Sequence, residues 1–147
     1  MHHTKDKGDI GLSAVIFDLT KNNINVCLPL SEHLPFDLIA INNSGKLNRV
    51  SVKYRRSKNN AIAFTLRSCW ADKNGTHTKY HNKNDYDSIA FYCPDTQKCY
   101  YIRILDVKNR SIYIMIKNND LKTKSSLFAD NLTDPNRIFN PQIAEID

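Results

Sequence analysis

Pro35-Phe36-Asp37-Leu38-Ile39-Ala40-Ile41, then Asn42-Asn43-Ser44-Gly45-Lys46, then Leu47-Asn48-Arg49-Val50-Ser51-Val52-Lys53-Tyr54-Arg55-Arg56, reads as two strands joined by a turn. The apolar residues of the two arms recur at the period of two that marks a half-buried strand. Gly45, near the end of a short polar loop, suits the left-handed position of a hairpin. Pro35 falls at a strand edge, where its missing N–H breaks no ladder. Strand side chains point alternately to the two faces, so Arg49, Ser51, Lys53 and Arg55 share one face and Val50, Val52 and Tyr54 the other. A turn centred on Ser44 sets Asp37 opposite Ser51, and a slip of two residues sets it opposite Lys53. Either register gathers Asp37, Ser51 and Lys53 within about 5–8 Å as cross-strand neighbours. Such a group is either an ordinary cross-strand ion pair, worth about 0–1 kcal/mol, or a carboxylate and an ammonium able to hold a divalent cation and orient a water.

Upstream, Leu12, Val15, Ile16 and Leu19 follow the i, i+3, i+4, i+7 spacing of an amphipathic helix over residues 5–23, with Thr4 as N-cap and Asn22-Asn23 as its stop. Asp9 lies in its first turns at the edge of the apolar stripe, where an acid either points toward the covered sheet or simply complements the helix dipole. Glu32, in the loop before Asp37, is a further acid. Downstream, residues 61–70 read as one strand with Ile62, Phe64 and Leu66 alternating, and 71–86 as a polar loop. Residues 88–92 and 98–105 form a second strand pair across Pro94-Asp95-Thr96-Gln97, a good turn sequence. Residues 111–116 are a further apolar run. The stretch after 117 reads as a polar tail or assembly segment, with at most one short helix near 127–132. The pattern predicts an α/β or α+β domain: a leading amphipathic helix on a mixed, mostly antiparallel sheet.

The chain has 147 residues, 41% of them hydrophobic and 24% charged, which predicts a single domain spanning 1–147. Apolar content of that order excludes intrinsic disorder as the main state. No apolar run approaches the ~20 residues of a bilayer helix, so no membrane partner is expected. The polar start lacks a signal-peptide core, which points to a cytoplasmic protein. Cys27, Cys69, Cys93 and Cys99 contain no CxxC pair, so neither a zinc site nor a disulfide framework is expected. A net charge of +6 favours a polyanionic partner, most simply nucleic acid.

Three ordered segments resemble the PD-(D/E)XK endonuclease family, and within it the group I intron homing endonucleases, relatives of the archaeal Holliday junction resolvases. They are Lys7-Gly8-Asp9-Ile10-Gly11, Ser31-Glu32-His33-Leu34-Pro35-Phe36-Asp37-Leu38 and Val50-Ser51-Val52-Lys53-Tyr54-Arg55. Trp70-Ala71-Asp72-Lys73-Asn74-Gly75-Thr76-His77-Thr78-Lys79 and Tyr92-Cys93-Pro94-Asp95-Thr96 extend the likeness, which covers residues 5–105. The resemblance implies a restriction-endonuclease-like core and hydrolysis of DNA with Mg²⁺ or Mn²⁺. It implies Asp37 as central metal ligand, the Val52 backbone carbonyl and Asp9 completing the site, and Lys53 orienting water or stabilising charge on the phosphate. One position departs from the family: Ser51 stands where relatives carry Glu, Asp or Gln.

Arg49, Arg55, Arg56, Lys58 and Arg67 around the hairpin and the next strand, with Lys73, His77 and Lys79 in the polar loop, are the candidate DNA contacts. Cations of this kind neutralise phosphates, and a two-stranded ribbon built from 61–70 and its loop can enter a major groove. Cutting both strands of a long duplex site with so small a chain implies a symmetric homodimer or homotetramer. Two alternatives carry other expectations: a junction resolvase, reading structure and not sequence, and a DNA-binding protein whose nuclease site is spent at Ser51.

Overall fold

The apolar stripe of the leading segment forms helix α1 (Thr4–Lys21), with Val15 and Leu19 buried. The structure, a computed structural model, describes residues 3–116 and 127–140. His3, and not Thr4, is the N-cap: its Nδ1 accepts from the Lys5 N–H at 3.4 Å and Asp6 accepts from the His3 N–H at 3.2 Å. This capping box satisfies donors that a helix N-terminus leaves open. Asn22 is the C-cap and Asn23 turns the chain with φ 60°, so the helix stops at the expected Asn22-Asn23 pair.

Ten strands are described: β1 (Asn25–Cys27), β2 (Leu38–Ile41), β3 (Leu47–Tyr54), β4 (Ala61–Thr65), β5 (Arg67–Asp72), β6 (Gly75–Tyr80), β7 (Ser88–Cys93), β8 (Lys98–Arg103), β9 (Ser111–Met115) and β10 (Leu127–Phe128). The main sheet runs β1-β2-β3-β7-β8, antiparallel except for the central β3–β7 pair, which is parallel. Leu38 pairs with Val50 and Ile39 with Arg49, so the hairpin turns about Ser44 and Asp37 lies opposite Ser51; Gly45 adopts φ 81°.

Strands β7 and β8 are apolar on both sides at their centres because both faces of the sheet are covered there. Helix α1 packs Val15 and Leu19 over Leu38, Ala40, Val50, Ala90 and Tyr101. On the other face the small sheet β10-β9-β4 sets Ile62, Phe64, Ile112 and Ile114 against Ile89, Phe91, Tyr100 and Ile102. The fold is therefore α/β, with a leading helix and a mixed, mostly antiparallel sheet.

Two expectations are corrected. Residues 61–70 are not one strand: β4 ends at Thr65, Leu66 turns into the core, and the chain leaves as the separate ribbon β5–β6. Half of that ribbon comes from the segment read as loop. It lacks an apolar face, but Lys73-Asn74 closes it as a two-residue turn with Gly75 at φ 117°. The second correction concerns the tail. Leu132, Ile138 and Phe139 are buried, and the Tyr101 N–H donates to the Leu132 carbonyl at 2.8 Å, so 127–140 closes the β8 edge and completes the core. The rest of the expected assembly segment, 117–126 and 141–147, lies outside the described residues. No helix among the described residues is long and apolar enough to cross a membrane.

Candidate functional site

Asp37, one residue before β2, is fixed by its backbone and its carboxylate together. Its N–H donates to the Val50 carbonyl at 2.9 Å, and its Oδ2 accepts the Val52 N–H at 2.6 Å. Asp37 is exposed, and its Oδ1 receives no hydrogen bond from the described residues. Ser51, opposite, is 3% exposed. Lys53, two residues on, shares that face because it pairs with Phe91, whose ring lies in the core beneath the small sheet.

Lys53 forms no ion pair with Asp37 within 4.0 Å; its ammonium lies 5.6 Å from the centre of the Phe64 ring, and the Arg55 guanidinium lies 5.0 Å from the same ring. The ordinary cross-strand salt bridge is therefore not what this grouping makes. Burial pushes the Lys53 ammonium below the usual lysine range, with Asp37 opposing and Arg55 reinforcing that shift. The result is a partly desolvated cation beside a carboxylate with an open oxygen, an arrangement that favours an incoming anion.

Asp9 stands on α1, two residues before Gly11. Gly11 seats α1 directly on β3, where a Cβ would stand 3.4 Å from the Tyr54 Cβ, but the helix covers the face opposite Lys53. Asp9 is exposed and has no hydrogen bond or ion pair to Asp37, Ser51 or Lys53. Among the described residues no group of three His, Cys, Asp or Glu could hold a metal ion. The donors present are one carboxylate, the Ser51 hydroxyl and main-chain carbonyls. This all-oxygen set fits Mg²⁺, which keeps several waters and uses one or two carboxylates together with substrate phosphates.

The candidate DNA contacts divide sharply. Arg49 is tied up: its Nε and Nη2 donate to Asp87 at 3.2 and 3.1 Å, its backbone N–H donates to the same carboxylate at 2.8 Å, and Nη2 also reaches the Asn84 carbonyl at 3.0 Å. Although burial opposes it, this clamp holds the Asp87 carboxyl below the usual carboxylate range. Arg49 thus braces the β3–β7 pair and is not a free phosphate ligand. Replacing Asp87 with Asn is expected to lower stability by about 1 kcal/mol, because the pair is half-exposed and screened. A depressed carboxyl contributes stability above its unfolded pKa of about 3.9, lost as pH falls through the folded value. Urea unfolding should then show a smaller wild-type-to-variant difference at pH 3 than at pH 7.

Arg56 and Lys58 are exposed on the loop after β3. Arg67, Lys73 and Lys79 are exposed on the ribbon, every strand residue of which is open to solvent except the half-buried His77. Trp70, whose aromatic bulk suggests burial, is 49% exposed and stacks on His77 at 5.3 Å, while His77 Nε2 bonds Asp72 at 2.9 Å. Phe64, the platform beneath Lys53, and His81, tilted against it at 6.3 Å, are site neighbours that sequence reading missed. Phe64 was visible only as a strand residue, and His81 sat in an apparent loop.

A family model described as PD-(D/E)XK endonuclease matches residues 2–132. Among solved structures, the bacterial homing endonuclease I-Ssp6803I matches with a TM-score of 0.68 at 23% identity, over 84% of this chain and 86% of that one. A search of curated proteins finds no match.

Proposed function

The chain belongs to the PD-(D/E)XK endonuclease family, and on that premise we propose that it is a sequence-specific double-strand DNA endonuclease of the intron-homing type. Family membership implies a phosphodiester hydrolase acting on DNA. The observation that carries the finer reading is the un-neutralised Lys53 ammonium beside the open Oδ1 of Asp37, on a basic chain with an exposed ribbon.

In this reading Asp37, Asp9 and the Val52 backbone carbonyl, with the Ser51 hydroxyl beside them, would hold Mg²⁺ or Mn²⁺. Bound there, the ion supplies charge stabilisation to the leaving oxygen and lowers the pKa of a water. Lys53 meets the negative charge that grows on the phosphate as the water oxygen bonds to phosphorus and the ester P–O bond breaks. Its partial burial strengthens that interaction. Arg56, Lys58 and the ribbon cations grip flanking phosphates, and a homodimer or homotetramer brings a second centre to the other strand.

Cleavage of a long linear target, a four-way junction and control duplex, each with Mg²⁺ and with chelator, tests this. The homing reading expects one preferred linear site and no cleavage in chelator. Junction preference would make the protein a resolvase. The third outcome, binding without cleavage in any metal, has one observation in its favour: a buried serine at the position two before Lys53. Ser51→Glu is expected to tighten Mg²⁺ binding by calorimetry and raise cleavage, at about 1–3 kcal/mol of stability because the site is packed. No gain in either, with DNA binding intact, would remove residue 51 from the metal set.

A further inference from the structure

Resting on that reading, we propose that His81 is a positioning residue: as a neutral imidazole bridging Ser68 and Tyr86, it docks the DNA-reading ribbon onto the nuclease core beside Lys53. Three facts carry this. The Ser68 Oγ lies 2.7 Å from His81 Nε2, and the Tyr86 hydroxyl lies 2.7 Å from His81 Nδ1, so the ring spans from strand β5 to the core. The His81 backbone N–H donates to the Leu66 carbonyl at 2.9 Å, closing the ribbon where it leaves β4. The same Phe64 ring that carries the Lys53 ammonium at 5.6 Å carries the His81 ring at 6.3 Å, so the bridge and the catalytic cation share one support.

The chemistry of the bridge fixes its proton. Tyr86 is 2% exposed, and burial, with Asp85 adding to it, pushes its phenol up to about 12, so it remains an O–H donor at any physiological pH. Among the described residues Nδ1 is the one partner of the Tyr86 hydroxyl, so the buried phenol donates there, Nδ1 is the acceptor, and the imidazole hydrogen sits on Nε2 and donates to the Ser68 Oγ. A second proton would have to enter at Nδ1, against the phenol hydrogen. The groups facing the ring agree. Burial, then Lys53, with Lys79 also contributing, disfavours the imidazolium, and Asp85 alone favours it. Arg110 stacks on Tyr80 at 4.3 Å as a second tie that does not depend on this proton. Acidification therefore leaves the buried Tyr86 hydrogen without its acceptor, which weakens the bridge and loosens the ribbon, whereas a histidine that only faced DNA would gain attraction on protonation.

The test uses the full chain without DNA or metal, so its failure leaves the endonuclease reading standing, and a cleavage failure leaves the bridge standing. Imidazole nitrogen NMR should show His81 as the Nε2–H tautomer, titrating below the ordinary value of about 6.5. Tyr86→Phe should shift that midpoint upward, since it removes a donor to the neutral ring. Amide exchange over β5–β6, corrected for intrinsic pH dependence, should be on the order of fivefold faster in Ser68→Ala and His81→Gln, with β3 and β7 unchanged. Wild-type ribbon protection should fall as pH drops through the His81 midpoint, and His81→Gln should show no such step. An Nδ1–H tautomer, a midpoint at or above 6.5, or unchanged ribbon exchange in Ser68→Ala would overturn the proposal. Ser68 is exposed, so that last variant stays informative even if His81→Gln misfolds.

Discussion

Lys53→Met is expected to lower single-turnover cleavage at saturating Mg²⁺ by about 10²–10³-fold, the scale on which one preorganised charge-stabilising donor acts, while duplex DNA affinity changes no more than a few-fold. Met suits the position physically: the stem already packs toward Phe64, and an apolar side chain of similar length keeps that contact while removing the ammonium. Asp37→Asn should reach a comparable loss. The Asn carbonyl oxygen can still accept the Val52 N–H that now meets Oδ2 at 2.6 Å, so the hairpin is retained while the negative charge is lost. In both variants near-wild-type melting temperatures would separate chemistry from folding. Wild-type cleavage by Lys53→Met would show that the ammonium over Phe64 plays no part in the reaction. A loss of binding as large as the loss of cleavage would make Lys53 a phosphate anchor instead.

What was legible from the sequence was what local geometry encodes. The β2–β3 hairpin could be read with its register because apolar periodicity on both arms and a single glycine left only two alignments, two residues apart. That register alone fixes which side of the sheet carries Ser51 and Lys53. The parallel β3–β7 pair was not legible, since Ser51 and Ile89 are brought together by nothing local to either. The face covered by α1 was equally hidden: the stripe Leu12, Val15, Ile16 and Leu19 says that the helix packs on a sheet, not on which side. The ribbon escaped because period-2 reading looks for one apolar face, and Thr76, Thr78, Ser68 and Lys79 supply none. Its signal was the Asn74-Gly75 pair at the turn, together with Trp70 on one arm and Thr76, Thr78 and Tyr80 on the other. Cation competition was invisible too. Arg49 and Lys53 are equivalent in a strand pattern, yet Asp87, which arrives from a distant loop, neutralises one of them and leaves the other.

That competition sets the second large effect. The triple variant Arg67→Ala, Lys73→Ala, Lys79→Ala should weaken duplex binding about 10²-fold at near-physiological salt and flatten the slope of log K against log [salt] by nearly three, about 0.9 per phosphate contact removed. The three side chains point in different directions. Arg67 lies across from Tyr80 and Lys79 from Ser68, so they occupy opposite faces of the ribbon, and Lys73 sits at its tip. Cations on both faces and the tip suit a ribbon lying within a groove, between two phosphate walls, better than one lying flat on a single backbone. Arg49→Ala is the matched control, because its guanidinium is held by Asp87 and the Asn84 carbonyl. It should lower stability and leave the salt slope unchanged. Trp70, the chain's single tryptophan and half-exposed on the same ribbon, reports the contact directly, so its fluorescence should change on DNA binding in wild type and in Arg49→Ala alike. A triple variant with an unaltered slope would move the phosphate grip off the ribbon and onto the Arg56–Lys58 loop; a slope altered equally by Arg49→Ala would mean that DNA displaces Asp87 from its clamp.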